Sequence, residues 1–532
     1  MNPAALTPER PARMPTVTAS ARGRAAAGLL LLAVLAAPRA GADPAAPPAA
    51  APAETAADAI GDSVVKVFST VVPPNPYQPW MKQAPREIGG SGAVIDGNRI
   101  LTNAHVVLYA TTIQVQPRGA GDKLTATVEA IAPGIDLAVL KVDDPTFFAT
   151  HPPLARASIL PRVKDTVLVY GFPLGGTSLA LTRGIVSRIE FVTYNFPVDG
   201  LRIQIDAALN PGNSGGPVIV DGRMIGLAFS RLGGDTQNIG YVIPNEEIEL
   251  FLGDLADGHY DGKPADCDLF QSLENPTLRA YLKVPADVHG VMVSAPFRDD
   301  ADYPLKKWDV VTRIGDTPID DQGKVRVDGD LHLMATYLVQ KLAHDGRVPV
   351  TIRRDGQERA VEVPVPNGRP LLIPGLNGAY PSYFIYGPLV FTAVSEEFLA
   401  ALNTDVRLAN IAANANSPLM TRRLDPPAFP GEQLVAVASP FFPHRLAEGY
   451  QSPQLEVVKT VNGVAIRNLR QLVEVLRDAK DPFLSFVFYG RGRESPVFRR
   501  AELAAATEGV LDDNGVRSQG SPDMMAVWNT KP

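Results

Sequence analysis

Between Ser63 and Phe229 the chain never sustains an apolar run long enough for a buried helix. It offers short apolar runs broken by Gly, Pro, Asn and Asp: Val64–Phe68, Ser91–Ile95, Thr166–Tyr170, Leu201–Ile205 and Met224–Phe229. Runs this short and this closely spaced predict antiparallel strands closed into barrels or packed as sandwiches. The long amphipathic helices that a βαβ sheet needs are missing here. A helix is predicted only at Pro244–Leu252, where Pro comes early and Glu246 and Glu247 lie in the first turn, and it closes the first domain.

The same reading divides the rest. At 532 residues the chain is too long for one ordinary core. A second unit is expected over 265–367, with strands near Gly290–Ser294, Val310–Ile314, Val348–Arg353 and Ala360–Val365 and a helical stretch near Leu331–Ala343. A third is expected over 378–503, with strands at Tyr383–Thr392, Gln433–Ser439, Leu455–Val461 and Phe483–Tyr489 and a helix at Leu469–Ala479. Trp308–Ile319 and Leu455–Ile466 share one recipe of strand, tight turn and apolar landing, so the two units read as a duplicated module. Residues 504–532 have little apolar periodicity and are expected to be disordered.

Ahead of the first domain, Arg10, Arg13, Arg22 and Arg24 precede the apolar run Ala25–Ala37, and Ala40-Gly41-Ala42 offers a small-x-small cleavage site. Residues 1–42 therefore read as an export signal, or as a membrane tether if cleavage fails. Residues 43–59 read as a disordered Ala/Pro linker.

The net charge of −7 and the lack of a basic run argue against nucleic-acid binding. A single cysteine, Cys267, rules out an intrachain disulfide and a Cys-based zinc site. No His/Asp/Glu group has metal-ligand spacing, so neither a metal nor an organic cofactor is expected.

The chemistry concentrates in three places. Ser214 lies in Gly212-Asn213-Ser214-Gly215-Gly216-Pro217, where glycines permit backbone angles closed to other residues. The amides of Gly212 and Ser214 are candidate donors to an oxyanion. Serine needs a base and a group to orient that base. His105, just after an expected strand at Asn98–Leu101, is the candidate base. Asp136, at the mouth of the apolar strand Leu137–Val142, is the candidate orienter, since a desolvated carboxylate needs a partner. His151 lies in a Pro-rich stretch and reads as a loop residue. Each of the three alone also reads as an ordinary structural residue. Gly212-x-Ser214-x-Gly216 also fits the nucleophile elbow of α/β-hydrolases. That fold requires the order Ser, acid, His and a helix after the serine, whereas here His105 and Asp136 come first and Pro217–Val220 reads as a strand.

These residues resemble the Deg/HtrA family of trypsin-like serine proteases. The resemblance lies in Ile100–Val107, Asp136–Leu140, Ile205–Pro217 and Asn238–Pro244. Pro381–Thr392 is similar to the second PDZ-like domain of the plant Deg branch. It implies a mostly β chain, with a trypsin-like double β-barrel protease domain over 60–258 followed by two PDZ-like α+β domains. It implies a His105, Asp136, Ser214 triad in the cleft between barrels, and activation loops near Glu190–Gly200, Leu209–Asn213 and Arg231–Asn238. The implied activity is cleavage of unfolded or damaged protein, in a periplasmic, trimer-based homo-oligomer whose PDZ-like domains bind exposed C-termini or control assembly. Ala208, Leu209 and Ala228 then fall near the substrate pocket and carry no charge, which predicts cleavage after small or medium apolar residues. Two features depart from the family. Val71–Ile88 is short beside the long regulatory loop of some bacterial members, and Val288-His289-Gly290-Val291 lacks a clear Gly-Leu-Gly-Phe loop. A non-proteolytic chaperone or scaffold built on the PDZ-like modules stays open as the alternative.

Overall fold

The computed structural model describes residues 59–532 except 175, 177, 195, 196, 230–238, 401, 403–409, 411, 414, 415, 491, 531 and 532. The expected leader, nearly all of the linker and the expected loop Arg231–Asn238 lie outside the described residues.

Twelve strands make two closed barrels. The first comprises β1 (Val64–Val71), β2 (Arg86–Ile95), β3 (Arg99–Thr102), β4 (Ala110–Pro117), β5 (Leu124–Ala132) and β6 (Leu137–Val142), in the order β1-β2-β3-β6-β5-β4. The second comprises β7 (Thr166–Gly171), β8 (Ala180–Thr193), β9 (Asp199–Ile205), β10 (Pro217–Val220), β11 (Arg223–Phe229) and β12 (Gly240–Pro244), in the order β10-β11-β12-β9-β8-β7. All neighbouring strands within each barrel are antiparallel. Alternation along β1 sends Val65 and Val67 into the first barrel's core. A separate cluster binds the barrels face to face, with Val64, Ala93, Leu101 and Val139 from the first against Tyr170, Phe172, Leu227 and Ile243 from the second. The expected closing helix is present at Asn245–Asp254, with Glu246 and Glu247 in its first turn.

The second unit is not separated from the barrels by solvent. Its core is continuous with that of the second barrel, from Phe191 and Ile203 through to Tyr337 and Ile352. At the junction the fully buried Glu247 accepts from Lys263 Nζ at 2.7 Å, the Leu201 amide at 2.7 Å and Gln340 Nε2 at 3.0 Å. A buried charge this well satisfied fixes geometry, and removing one partner would cost several kcal/mol. The expected helix near Leu331–Ala343 is shorter than the sequence reading. Leu331–Met334 is a strand paired with Lys324–Asp328, and only Tyr337–Leu342 is helical. The left-handed Gly329, φ 49°, makes the turn of that hairpin, so tertiary pairing overrides the apolar spacing.

The third unit contains a three-stranded and a four-stranded sheet. Its helix Leu469–Asp478 buries Leu469, Leu472, Val473 and Leu476 as one stripe, and the Asn468 side chain caps it through the Gln471 amide. The duplicated recipe holds in detail. Val310–Ile314 turns at Gly315 into Thr317–Pro318, and Val458–Val461 turns at Asn462-Gly463 into Val464–Ala465. Trp308 and Leu455, at matching positions, both have left-handed backbones, φ 78° and 68°.

The end of the chain corrects the sequence reading. Residues 504–530 of the expected disordered tail are ordered: helices span Arg500–Asp513 and Pro522–Trp528. Leu503, Val510, Met524 and Val527 are buried. Trp528 packs on Phe384 at 5.0 Å and Tyr386 at 5.7 Å, while the amides of Ile385 and Ser521 bond Gln519 and Tyr383 carbonyls. Few residues are apolar here, but they are large and each finds a slot in the third unit, which periodicity alone does not reveal.

The third unit is also clasped to the first barrel. The short segment between β1 and β2 inserts Tyr77 and Trp80 beside the third unit's core. Tyr77 meets Phe398 edge-on at 5.1 Å and donates to its carbonyl at 2.9 Å, and Trp80 meets Phe442 at 5.1 Å. Tyr380 donates to the Val72 carbonyl at 2.8 Å and receives Lys82 over its ring at 4.1 Å.

Candidate active site

Asp136 terminates a 3-10 turn, Pro133–Ile135, with a left-handed backbone (φ 56°, ψ 41°) that Asp tolerates better than most residues. That turn aims its carboxylate at the short helix Ala104–Val107. Oδ2 accepts from His105 Nδ1 at 2.7 Å and Oδ1 accepts from the His105 main-chain N–H at 2.9 Å. The Asp136 carbonyl is held in turn by Asn103 Nδ2 at 2.9 Å and the Ala104 N–H at 3.2 Å. The Asp136 side chain is 11% exposed, that of His105 46%. With Nδ1 committed as donor to the carboxylate, Nε2 is the acceptor nitrogen of the ring, on the exposed side.

Ser214 is buried on the second barrel, immediately before β10. The two barrels meet at the glycines of β2. A Cβ on Gly90 would lie 2.7 Å from Val106, next to His105, and 3.3 Å from the Ser214 carbonyl oxygen. The Ser91 N–H donates to that carbonyl at 2.8 Å. The Ser214 turn therefore lies against the first barrel beside the helix that carries His105, which Asp136 holds. His151 does not join them; it stacks on Phe147 at 4.4 Å and bonds its carbonyl at 2.7 Å.

The glycines around Ser214 are required sterically. Gly212 (φ 102°) and Gly215 (φ 87°) are left-handed, and a Cβ would lie 2.4 Å from the Phe172 carbonyl oxygen at Gly212 and 2.0 Å from that of Ser91 at Gly215. The turn is pinned by its carbonyls. Pro211 O accepts from the Leu174 N–H at 2.8 Å, and Asn213 O from the Gly216 N–H at 2.9 Å. A trans peptide sets its N–H opposite its C=O, so these two bonds also fix the directions of the Gly212 and Ser214 amides.

Of the residues expected near the substrate pocket, Ala228 is buried and its backbone pairs with the Ser214 turn: its N–H donates to Gly216 O at 2.8 Å and its carbonyl accepts from Gly215 at 2.9 Å. Leu209 covers Gly240, whose Cβ would lie 2.7 Å from it, and Ala208 is exposed. The sequence reading did not single out Ser91, Thr102 or Asn103, which support the site from the first barrel. The Gly89-Gly90-Ser91-Gly92 run inside a strand was the available signal, because strand glycines mark close backbone approach.

Two six-stranded barrels sharing a His, Asp, Ser cleft define a trypsin-like peptidase. Residues 90–227 match the trypsin-like peptidase domain family and residues 376–523 the PDZ domain family. The chain is 36% identical over 474 residues to Protease Do-like 2, chloroplastic, of Arabidopsis thaliana, covering 88% of this chain and 76% of that protein. It is 34% identical over 421 residues to Protease Do-like 4, mitochondrial, of the same plant, covering 78% and 76%. Among solved structures, HtrA-type protease AlgW with tripeptide is similar at 25% identity and TM-score 0.46, covering 59% of this chain and 97% of that one. The chain belongs to the Deg/HtrA family and is a serine endopeptidase.

Proposed function

We propose that the chain cleaves unfolded or damaged proteins, without ATP, through an acyl-enzyme made on Ser214. The observation that carries the assignment is the paired grip of Asp136 on His105, ring and main chain together. It holds the imidazole in one tautomer with Nε2 as acceptor, as a general base requires. Nε2 takes the Ser214 hydroxyl proton as Oγ bonds to the substrate carbonyl carbon. The Gly212 and Ser214 amides receive the resulting oxyanion. The imidazolium then gives its proton to the departing amine, and a water repeats the sequence to release the acid and restore Ser214.

The uncharged residues Ala208, Leu209 and Ala228 support cleavage after small or medium apolar residues. Substrates bind through the PDZ-like units in this reading, by exposed C-termini, and the active form is a trimer-based homo-oligomer. The Arg-flanked apolar leader supports export to the periplasm. Casein degradation tests the proposal: wild type is active and Ser214→Ala is inactive, whereas equal degradation by both would refute the Ser214 assignment. Sequencing the products reads specificity, and dominant cleavage after Lys or Arg would overturn the pocket assignment. Cell fractionation with N-terminal sequencing tests the leader, and processing inside an organelle, as the names of the two plant relatives imply for those proteins, would replace export.

A further inference from the structure

Ser91 sits in the middle of β2 between two glycines and has no exposed surface. A hydroxyl buried there must be paired, since an unsatisfied one keeps the full cost of its lost hydration. Its partners are both on the other barrel. Oγ donates to the Gly212 carbonyl at 2.7 Å and accepts from the Phe172 N–H at 2.8 Å. The main chain of the same residue is fully engaged as well: its N–H donates to Ser214 O at 2.8 Å, and its C=O accepts from Thr102 Oγ1 at 2.7 Å.

These contacts close a small ring. Phe172-Pro173-Leu174 runs along one side and Pro211-Gly212 along the other. The Leu174 N–H to Pro211 O bond joins them at one end, and the Ser91 hydroxyl joins Phe172 to Gly212 at the other. Peptide planarity makes the Gly212 N–H antiparallel to the Pro211 carbonyl that Leu174 holds. Anything that loosens the ring lets the Pro211–Gly212 peptide rotate and turns that N–H away.

We propose that Ser91 is a positioning residue for peptide-bond cleavage, its hydroxyl fixing the Gly212 amide in the orientation that receives the oxyanion. This rests on the assignment of the Gly212 and Ser214 amides as oxyanion donors. Ser91 acts through the turn and does not touch substrate. A hydroxyl that merely satisfied the core would contribute to stability and leave the balance between transition-state and ground-state binding untouched. A positioning hydroxyl changes that balance, because oxyanion donors bind charge that develops only during reaction.

The test uses the full-length protein and a quenched fluorescent peptide built on its main casein cleavage point. Ser91→Ala is expected to lower kcat by roughly 10- to 100-fold with little change in KM. Affinity for a peptide aldehyde, whose hemiacetal oxygen occupies the oxyanion position, falls in the same proportion, while binding of the matching peptide amide is unchanged. Leu174→Pro removes the other tie at a residue that is 61% exposed, and reproduces the loss. It decides the matter alone if Ser91→Ala does not fold. Wild-type kcat in either folded variant, or equal losses of aldehyde and amide binding, would overturn the positioning role. A Ser214→Ala control separates the two ideas. If it cleaves as well as wild type, the protease assignment has failed; if it is dead while Ser91→Ala keeps full kcat, only the role of Ser91 has.

Discussion

Asp136 holds His105 by both carboxylate oxygens, Oδ2 on the ring Nδ1 at 2.7 Å and Oδ1 on the main-chain N–H at 2.9 Å. One residue thereby sets where the helix Ala104–Val107 begins and which nitrogen of its imidazole carries the proton. The main-chain contact is structural and the ring contact chemical, and a single substitution separates them.

Asp136→Asn keeps an oxygen for the His105 main chain but can present an NH2 group to Nδ1. The ring then favours the tautomer with its proton on Nε2, which cannot act as base. The expected result is a fall in kcat of about 10³- to 10⁴-fold with a near-wild-type circular dichroism spectrum. Steady-state kinetics on a peptide substrate checks it, and activity within tenfold of wild type would remove Asp136 from the triad.

The three candidate residues were legible because they occur together, in an order along the chain that the rival hydrolase fold excludes. The role of the Ser91 hydroxyl was not legible. Its partners lie 81 and 121 residues away, and the glycines flanking it signal only a close backbone approach, not a tie made by the side chain. The barrels were legible from short interrupted runs, since burial on one face of a strand imposes period two. The closing helices were hidden for the opposite reason. Arg500–Asp513 buries only Leu503, Thr507 and Val510, and most of its remaining positions are Ala, Glu or Asp, so docking rather than amphipathic pattern specifies it.

That docking has a measurable value. Deleting residues 514–532 removes Met524, Val527 and Trp528 and bares Phe384 and Tyr386. Burying side chains of this size contributes about 1.5–3 kcal/mol each, comparable in sum to the stability of a small domain. The truncated chain is expected to bind a hydrophobic dye and to unfold its third unit at a lower temperature. Calorimetry checks this, and an unchanged profile would mean that the tail adds nothing to the third unit.

The clasp between the first barrel and the third unit rests on the Tyr77–Phe398 and Trp80–Phe442 contacts, both at 5.1 Å. Burial pushes the Tyr77 phenol up to about 12, so the ring stays neutral and keeps donating to the Phe398 carbonyl throughout the physiological range. A double-mutant cycle on Trp80→Ala and Phe442→Ala is expected to give a coupling of about 0.5–1.5 kcal/mol. The Trp80→Ala variant should also be cut faster by added protease within residues 366–381, which join the second and third units. An unchanged cleavage rate would show that the clasp does not hold the third unit in place.

Asp266 gives the fold a pH dependence of its own. Burial first, and then the neighbouring Asp268, push its carboxyl up to about 7, with Arg369 opposing the rise. An unfolded chain has no such crowding, so its Asp266 ionises near the ordinary aspartate value. Between about pH 4 and pH 7 the folded state therefore holds a proton that the unfolded state has released. This contribution to stability is complete below the unfolded pKa and is lost as pH rises through the folded one. Other carboxylates titrate in the same range, so the difference between wild type and Asp266→Asn isolates it. The Asn variant cannot ionise and keeps the stability that wild type loses. Its melting temperature should exceed wild type's by an amount that grows from small near pH 4 to several degrees at pH 8. A thermal-shift series across that range measures the gap, and a gap that stays constant with pH would show that Asp266 is ionised in the folded protein throughout.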